Sequence, residues 1–226
     1  MIGLQIQERT HCVTSSVVEK FRTLPVANIS DCMSRMSAGG ANLRPFHGAG
    51  ANLAGPALTV KCRPGDNLMI HKALMMAKPG DVIVVDGGGD VTNALIGELM
   101  VATAIKRGIA GFVINGAIRD VDAIRSGAFP VYAAGVTHRG PYKDGPGEIN
   151  VSIGINGMIV EPGDLVVGDA DGVLCVPYDQ AEEILAATLK KGVLEKQMMA
   201  DIAAGTLDTA WIDDTLKRLG CNTEPL

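Results

Sequence analysis

Three charged side chains have the types and spacing of a small active site. Glu98 is followed, after twenty intervening residues, by the adjacent Arg119 and Asp120. An arginine can bind an anionic oxygen, and a carboxylate suits a hard divalent cation. Both segments follow predicted strands, so they should leave the carboxyl ends of consecutive strands, where open α/β sheets bind ligands. The alternative is a surface ion pair in which Asp120 caps a short helix, and spacing alone favours this alternative.

The segment Gly97-Glu98-Leu99-Met100 falls at the opening of a predicted helix. Backbone N–H groups in the first turn of a helix have no intrahelical acceptor, and the helix dipole favours negative charge there. This segment is therefore a candidate site for a substrate carboxylate.

A glycine run, Gly87-Gly88-Gly89, lies after an apolar strand and ahead of a helix, where a nucleotide-binding loop would lie. A dinucleotide fingerprint needs a glycine at the position of Thr92, and the chain has no Gly-Lys-Ser/Thr triplet for a P-loop. Two interpretations stay open: a close backbone approach to a small ligand or neighbouring subunit, and a plain turn.

The polar stretch Thr137–Asn150 is long enough to be a functional loop, although a solvated connector would explain its charges equally well. It contains His138 and Lys143. His138 could be a general base, but a loop histidine with a structural hydrogen bond is the better interpretation. A phosphohistidine carrier that uses His138 is a third and weaker hypothesis, based on fold analogy alone.

The elements that must position these residues alternate between strand and helix. The chain should begin with two short helical patterns within Ser15–Met36, interrupted at Leu24-Pro25. A strand from Ala57 and a helix through Met76, capped by Asp66 or Asn67, should follow. The next predicted elements are a strand over Val82–Asp86, a helix over about Leu95–Arg107, a strand over Gly111–Asn115, a Gly116-Ala117 turn and a short helix near Arg119-Asp120. This order predicts an α/β fold with a partly parallel sheet and crossover helices. An antiparallel β layer and a long helix from Asp179 to Ala203 should follow.

Composition limits the other classes of function. A chain of 226 residues that is 47% hydrophobic can build one large domain, and we predict a single domain over residues 1–226. The net charge of −5 is interspersed, which argues against a nucleic-acid partner, and no apolar run is long enough to cross a membrane. The five scattered cysteines predict a cytoplasmic protein. The four histidines lack metal-ligand spacing, so any metal should have oxygen ligands.

Five motifs in this order resemble a known family. They are AGPALTVKCRPGDN, GDVIVVDGGGD, GELMVATAIKRGIAGFVINGAIRD, THRGPYKDGPGEIN and PGDLVVGDADGVLCVP. The family comprises the 4-hydroxy-4-methyl-2-oxoglutarate and 4-carboxy-4-hydroxy-2-oxoadipate aldolases and includes the regulators of ribonuclease E activity. The resemblance runs from about Ala54 to the helix after Pro177. It implies a swivelling β/β/α domain with peripheral N- and C-terminal helices, assembled as a homotrimer or homohexamer.

The resemblance also implies a role for each candidate residue. Asp120 would ligate Mg²⁺ or Mn²⁺, and Glu98 would hold a water of the metal's coordination shell. The backbone N–H groups of Leu99 and Met100, next to Gly97 and Glu98, would bind the carboxylate of a pyruvyl unit. Arg119 would face the keto oxygen, and Lys143 matches an active-site lysine of some members.

The implied activity is that of a class II aldolase. It would cleave 4-hydroxy-4-substituted 2-oxo dicarboxylic or tricarboxylic acids to pyruvate and a second 2-oxo acid, with oxaloacetate decarboxylation as a side activity. The alternative is a non-catalytic, protein-binding regulator that resembles the ribonuclease E inhibitors. Those regulators typically lack the metal-binding aspartate, so the presence of Asp120 favours the enzyme.

Overall fold

A central sheet of parallel strands organises the computed structural model, which describes residues 3–221. The helices are α1 (Ser15–Phe21), α2 (Val26–Cys32), α3 (Leu68–Met76), α4 (Glu98–Lys106), α5 (Val121–Ser126), α6 (Ala181–Ala204) and α7 (Ala210–Arg218). The strands are β1 (Leu4–Ile6), β2 (Arg44–Pro45), β3 (Leu53–Cys62), β4 (Val82–Asp86), β5 (Ala94–Ile96), β6 (Gly111–Ile118), β7 (Val131–Val136), β8 (Gly147–Ile149), β9 (Ile153–Ile155), β10 (Met158–Val160), β11 (Leu165–Gly168) and β12 (Val173–Val176). Strands β3, β4, β6 and β7 pair in that order and are all parallel, with α3, α4 and α5 in the connections.

Side chains of the central strands alternate between two cores, as the period-two geometry of a strand requires. In β4, Ile83 and Val85 pack with the helices α3, α4 and α5, while Val82 and Val84 pack with β9, β10, β11 and β12. The molecule therefore has a helical layer on one face of the sheet and a β layer on the other. The predicted α/β class with β/β/α layers is confirmed.

The long strand β3 joins the two β layers. Residues 57–61 of β3 pair with β4, whereas residues 53–56 pair antiparallel with β11. Strand β11 in turn pairs with β12, so the predicted antiparallel layer is confirmed.

The N-terminal helices break where the sequence predicted. Helix α1 ends at Phe21, and α2 begins at Val26, directly after Pro25. Proline fits this position because its fixed φ suits a helix start and it has no N–H to leave unpaired. Both helices pack with the first turns of α6 in a core that includes Phe21, Ile29 and Leu185.

The chain divides into two compact units that meet in sequence between Thr188 and Leu189. The first unit contains the sheet and the helices up to the beginning of α6, and the second contains the rest of α6 together with α7. A single domain over residues 1–226 stays a prediction. Within residues 3–221, no helix combines the length and the apolar character needed to cross a bilayer.

Two predicted boundaries near Arg119 were wrong. The helix predicted from Leu95 begins instead at Glu98, because Ala94–Ile96 is a buried apolar triplet that pairs parallel with the end of β6. The predicted Gly116-Ala117 turn is part of β6, which continues to Ile118. Gly116 suits this position because a Cβ would lie 2.8 Å from Leu95 Cδ1. Strand β6 therefore packs closely against Leu95, a contact that the local Gly116-Ala117 turn signal could not predict.

The polar stretch Thr137–Asn150 is a loop only up to residue 146. Its end forms β8, which pairs antiparallel with β3 and parallel with β1. The Glu148 carboxylate accepts hydrogen bonds from Gly3 N and Gln5 Nε2, both at 2.8 Å. The Glu148 carboxylate therefore links β8 to the β1 segment and does not belong to a solvated loop.

Candidate active site

A cavity of about 300 Å³ lies at the carboxyl ends of β5 and β6. All seven residues that the sequence singled out for a catalytic, substrate-binding or metal-binding role line it, together with Asn67, His71, Ala94, Leu95, Ile96 and Pro141. The sequence-predicted residues are Gly97, Glu98, Leu99, Met100, Arg119, Asp120 and Lys143. The structure thus brings the two strand-end segments and the 137–146 loop together at one place.

Strand pairing explains why the two segments meet. Strands β5 and β6 are parallel neighbours, and Arg119 N donates a hydrogen bond to Ile96 O at 3.1 Å, one residue beyond the end of β6. Gly97 and Arg119 therefore leave the sheet side by side. The prediction that both segments leave neighbouring strand ends is confirmed, although the strand before Glu98 is β5 rather than β4.

Asp120 has an unusual backbone conformation, with φ 58° and ψ 38° in the left-handed region. Such a conformation costs about 1–2 kcal/mol for a residue other than glycine. Asp120 occupies the N-cap position of α5, yet its side chain makes no capping hydrogen bond. Its Oδ2 instead accepts the N–H of Glu98 at 3.0 Å. The helix-capping role in the alternative interpretation is therefore not what this carboxylate does.

Gly97 leaves space for this pair. A Cβ at Gly97 would collide with Asp120 Oδ2 and lie 3.0 Å from Arg119 Cγ. The φ of Gly97 is −155°, an extended value that any residue adopts. Space rather than backbone torsion is thus the reason for glycine at this position.

The first turn of α4 leaves one donor for a ligand. The N–H of Glu98 is used by Asp120, and the N–H groups of Met100 and Val101 both donate to Gly97 O at 3.1 Å. Within residues 3–221, Leu99 N has no hydrogen-bond acceptor. Of the two amides predicted to bind a carboxylate, Leu99 N is available in this conformation and Met100 N is already engaged.

The ion pair between Arg119 and Asp120 is weak by geometry. Arg119 Nε lies 3.7 Å from Asp120 Oδ2, and the two side chains are 44% and 41% exposed. Pairs of this kind contribute little to stability. The guanidinium can therefore turn toward an anionic ligand at little cost.

Asn67, the N-cap residue of α3, and His71 within α3 line the cavity, and sequence reasoning missed both as site residues. Asn67 and His71 are four residues apart, and this spacing places them on one helical face. This helical spacing, which follows a predicted strand, was the sequence signal that could have identified them as lining residues. Asn67 is 3% exposed, and its Nδ2 donates to Leu95 O at 2.8 Å. Its Oδ1 is buried without a partner among the described residues. Partial burial, and then the positive charge of Lys143, lower the pKa of His71.

The carboxylates at the cavity fit a divalent cation that is shared with substrate. Within residues 3–221, no group of three or more histidine, cysteine, aspartate or glutamate side chains is arranged to hold a metal ion. Mg²⁺, however, commonly uses one or two protein carboxylates and completes its shell with water and substrate oxygens. Asp120 and Glu98 supply those carboxylates at the cavity. Oxygen ligands of this kind serve Mn²⁺ equally well.

Two other sequence candidates lie outside the cavity lining. His138 is exposed and lines no part of it. The glycine run packs closely against Leu95 and Asn115 of the same chain. A Cβ at Gly87 would lie 2.7 Å from Leu95 Cδ1 and 2.9 Å from Asn115 O. Gly88 and Gly89 have positive φ values of 71° and 70°. The run thus combines turn geometry with close packing.

The fold is that of a β/β/α protein with a cavity at the carboxyl edge of its parallel strands. The chain belongs to the RraA-like family, whose model, described as Aldolase/RraA, matches residues 26–175. The family prediction made from the sequence motifs is therefore confirmed.

Relatives of this chain carry names of both kinds, an aldolase and RraA inhibitors. The chain is 42% identical to a Halalkalibacterium halodurans protein named "Putative 4-hydroxy-4-methyl-2-oxoglutarate aldolase", over 77% of this chain and 82% of that protein. It is 32% identical to the RNA-processing inhibitor RraA from Thermus thermophilis, with a TM-score of 0.62, over 68% of this chain and 92% of that one. An unusual Streptomyces coelicolor member of the RNase ES inhibitor RraA family is 26% identical, with a TM-score of 0.75, over 82% of this chain and 96% of that one.

Proposed function

We propose that the protein is a divalent-metal-dependent aldolase that releases pyruvate from 4-hydroxy-4-substituted 2-oxo acids. The observation that carries the proposal is the cavity itself, in which a free backbone donor, a guanidinium and two carboxylates meet at the ends of two parallel strands. The aldolase name of the Halalkalibacterium halodurans relative supports the same class of reaction.

Substrate binding would begin with the carboxylate of the pyruvyl unit. The unpaired N–H of Leu99 donates to a carboxylate oxygen, and the positive end of α4 favours its charge. Lys143, in the 137–146 loop, adds a positive charge to the same cavity. These groups would orient the 2-oxo acid with its keto oxygen toward Arg119.

Cleavage of the C3–C4 bond requires a base and a place for negative charge. A water molecule held by the Glu98 carboxylate takes the proton of the C4 hydroxyl, and the C4–O bond becomes a carbonyl. The electron pair of the C3–C4 bond passes to the pyruvyl unit as an enolate, whose oxygen the Arg119 guanidinium stabilises. Protonation at C3 then gives pyruvate, and the second product is another 2-oxo acid.

Asp120 would hold Mg²⁺ or Mn²⁺ at the cavity, and Glu98 would hold a water molecule of the metal's coordination shell. A bound divalent cation supplies Lewis-acid polarisation of the keto group, which lowers the energy of the enolate. The hydrogen bond from Glu98 N to Asp120 Oδ2 orients the carboxylate for this role.

Oxaloacetate decarboxylation would use the same residues. Loss of CO₂ from oxaloacetate leaves the same pyruvate enolate, and the electron pair comes from the bond to the departing carboxylate. Arg119 would stabilise this enolate as it does after aldol cleavage. The side activity therefore needs no further group.

The experiment that tests the proposal is pyruvate release, measured with 4-hydroxy-4-methyl-2-oxoglutarate, 4-carboxy-4-hydroxy-2-oxoadipate and oxaloacetate. Each substrate is assayed with Mg²⁺, with Mn²⁺ and with excess EDTA. We expect turnover that EDTA removes and that added metal restores. Absence of pyruvate from all three substrates in the presence of metal would refute the proposal.

A second candidate is a protein-binding regulator, favoured by the likeness to the Thermus thermophilis RNA-processing inhibitor. Its test is a pull-down with a purified ribonuclease, in buffer with and without EDTA. Tight, metal-independent binding by a chain that turns over none of the three acids would favour the regulator. Turnover without ribonuclease binding would favour the aldolase.

Assembly is part of the proposal as well. We infer a homotrimer or homohexamer, with a small 2-oxo acid as the ligand and neither nucleic acid nor membrane as a partner. Light scattering coupled to size-exclusion chromatography measures the number of subunits directly.

A further inference from the structure

Asp66 is a fully buried carboxylate next to the candidate active site. It is 0% exposed and accepts four hydrogen bonds from the protein. Oδ1 accepts Leu68 N at 2.9 Å, whereas Oδ2 accepts Asp144 N at 2.8 Å, Gly145 N at 2.9 Å and Arg63 Nη2 at 3.1 Å. A buried charge is tolerated only when it is paired and hydrogen-bonded, and Asp66 meets both conditions.

These donors belong to two chain segments that each contribute residues to the cavity lining. Leu68 begins α3, which contains the lining residue His71 and directly follows the lining residue Asn67. Asp144 and Gly145 follow the lining residue Lys143. Two backbone hydrogen bonds join the same segments, from Asn67 N to Tyr142 O at 3.0 Å and from Tyr142 N to Gly65 O at 2.8 Å. The Asp66 carboxylate therefore lies where these two segments join.

Lys143 depends on this junction for its position. Its side chain is exposed and makes no ion pair within residues 3–221, so contacts of its own do not hold it. The backbone that carries Lys143 is held by the amides of the next two residues, and both donate to Asp66 Oδ2. Arg63 balances the charge of Asp66, and its guanidinium carbon lies 5.8 Å from the centroid of the Tyr142 ring.

We propose that Asp66 is a positioning residue, whose carboxylate holds the 142–145 segment against the start of α3 and thereby sets Lys143 in the substrate cavity. This inference rests on the proposed function for its catalytic consequence. All four partners of Asp66 are donors, so an asparagine would replace one acceptor oxygen by an NH₂ group that faces N–H donors. The Asp66→Asn variant is therefore a nearly isosteric test of the clamp.

The first arm of the test is independent of turnover. Amide hydrogen exchange of the peptide that contains Asp144 and Gly145 is compared in the wild type, in Asp66→Asn and in Asp164→Asn. Asp164 is a matched control, because it is also buried (6% exposed) and accepts the N–H groups of Glu161 and Tyr178, away from the cavity. We expect faster exchange at 144–145 in Asp66→Asn only. An equal change in both variants would mean general destabilisation and would overturn the inference.

The second arm is a double-mutant cycle with Lys143→Ala. We expect Asp66→Asn to lower kcat/KM about tenfold in the wild-type background and to have little further effect in the Lys143→Ala background. A further tenfold loss in that background would show that Asp66 does not act through Lys143 and would overturn the inference. If the wild type releases no pyruvate, the proposed function fails, while the exchange arm still decides whether Asp66 holds the segment.

Discussion

The Oδ2 atom of Asp120 accepts a hydrogen bond from the backbone N–H of Glu98 at 3.0 Å. The bond joins Glu98, the first residue of α4, to Asp120, which lies two residues after the end of β6. It uses the helix-start amide that would otherwise have no acceptor and leaves Leu99 N for a ligand.

Asp120→Asn should separate the charge of this residue from its hydrogen bond. The asparagine oxygen can still accept Glu98 N–H, so the fold should persist, but the carboxylate that would hold the metal is lost. We expect metal-dependent pyruvate release to fall roughly a hundredfold. The assay is steady-state kinetics at saturating Mg²⁺, with thermal unfolding as the stability measurement.

The matched control for this prediction is Asp122→Asn. Asp122 is an exposed carboxylate in the first turn of α5 that does not line the cavity. Its loss should leave kcat/KM unchanged. Wild-type activity in Asp120→Asn would exclude a role for the Asp120 charge.

Gly97→Ala should impair activity by displacing Asp120 and Arg119. The added methyl group would collide with Asp120 Oδ2, whereas the backbone torsion of Gly97 is permitted for alanine. We expect a loss of about tenfold or more in kcat/KM, since small displacements of reacting groups have large effects on rate. Kinetics and thermal unfolding of the same preparations measure the two effects separately.

Gly192→Ala is the control for Gly97→Ala. Gly192 lies inside α6, and a Cβ there meets nothing within 4 Å. Alanine in a helix interior should stabilise the protein by about 1 kcal/mol and leave activity unchanged. If Gly97→Ala behaved in the same way, the close packing at the site would have no functional role.

Leu99→Pro should weaken substrate binding by removing one backbone donor. Leu99 is the second residue of α4, and proline is tolerated in the first turn of a helix. A hydrogen bond to a charged group contributes about 1.5–3 kcal/mol, so we expect KM to rise tenfold or more. The measurement is KM for a pyruvyl substrate, with circular dichroism to show that the helix is retained.

Leu99→Ala provides the comparison, because it keeps the N–H and changes only a side chain that is 81% exposed. Its KM should equal that of the wild type. An equal rise of KM in both variants would assign the effect to the side chain and would contradict carboxylate binding by the amide.

Lys143→Ala should raise the pKa of His71. Two causes lower this pKa, first partial burial and then the charge of Lys143, and the substitution removes only the second. The pKa should therefore move up but stay below its ordinary value of 6.5. Titration of the His71 ring by NMR measures this shift, and Lys72→Ala is the control because Lys72 is not one of the two causes. An unchanged midpoint in Lys143→Ala would show that Lys143 does not lie near His71 in solution.

Local sequence signals sufficed for the parts of this chain whose partners are near in sequence. The strand over Val82–Asp86 and the break before Pro25 both follow from short-range patterning. Resemblance to a family added the roles of Glu98, Arg119 and Asp120, which spacing alone left open. Strand β5 was missed because three apolar residues before a helix can equally be read as helix, and only pairing with β6 distinguishes the two.

The amino-acid sequence by itself determined the α/β class, the family and seven of the thirteen residues that line the cavity. Tertiary structure decided which groups are available there: that Asp120 bonds Glu98 N rather than its own helix, that Leu99 N is free, and that Asn67 and His71 contribute to the lining. The physical reason is distance along the chain. Strand patterning and helix caps depend on neighbours a few residues apart, whereas these contacts join segments that are about twenty to seventy residues apart and meet only when parallel strands pair.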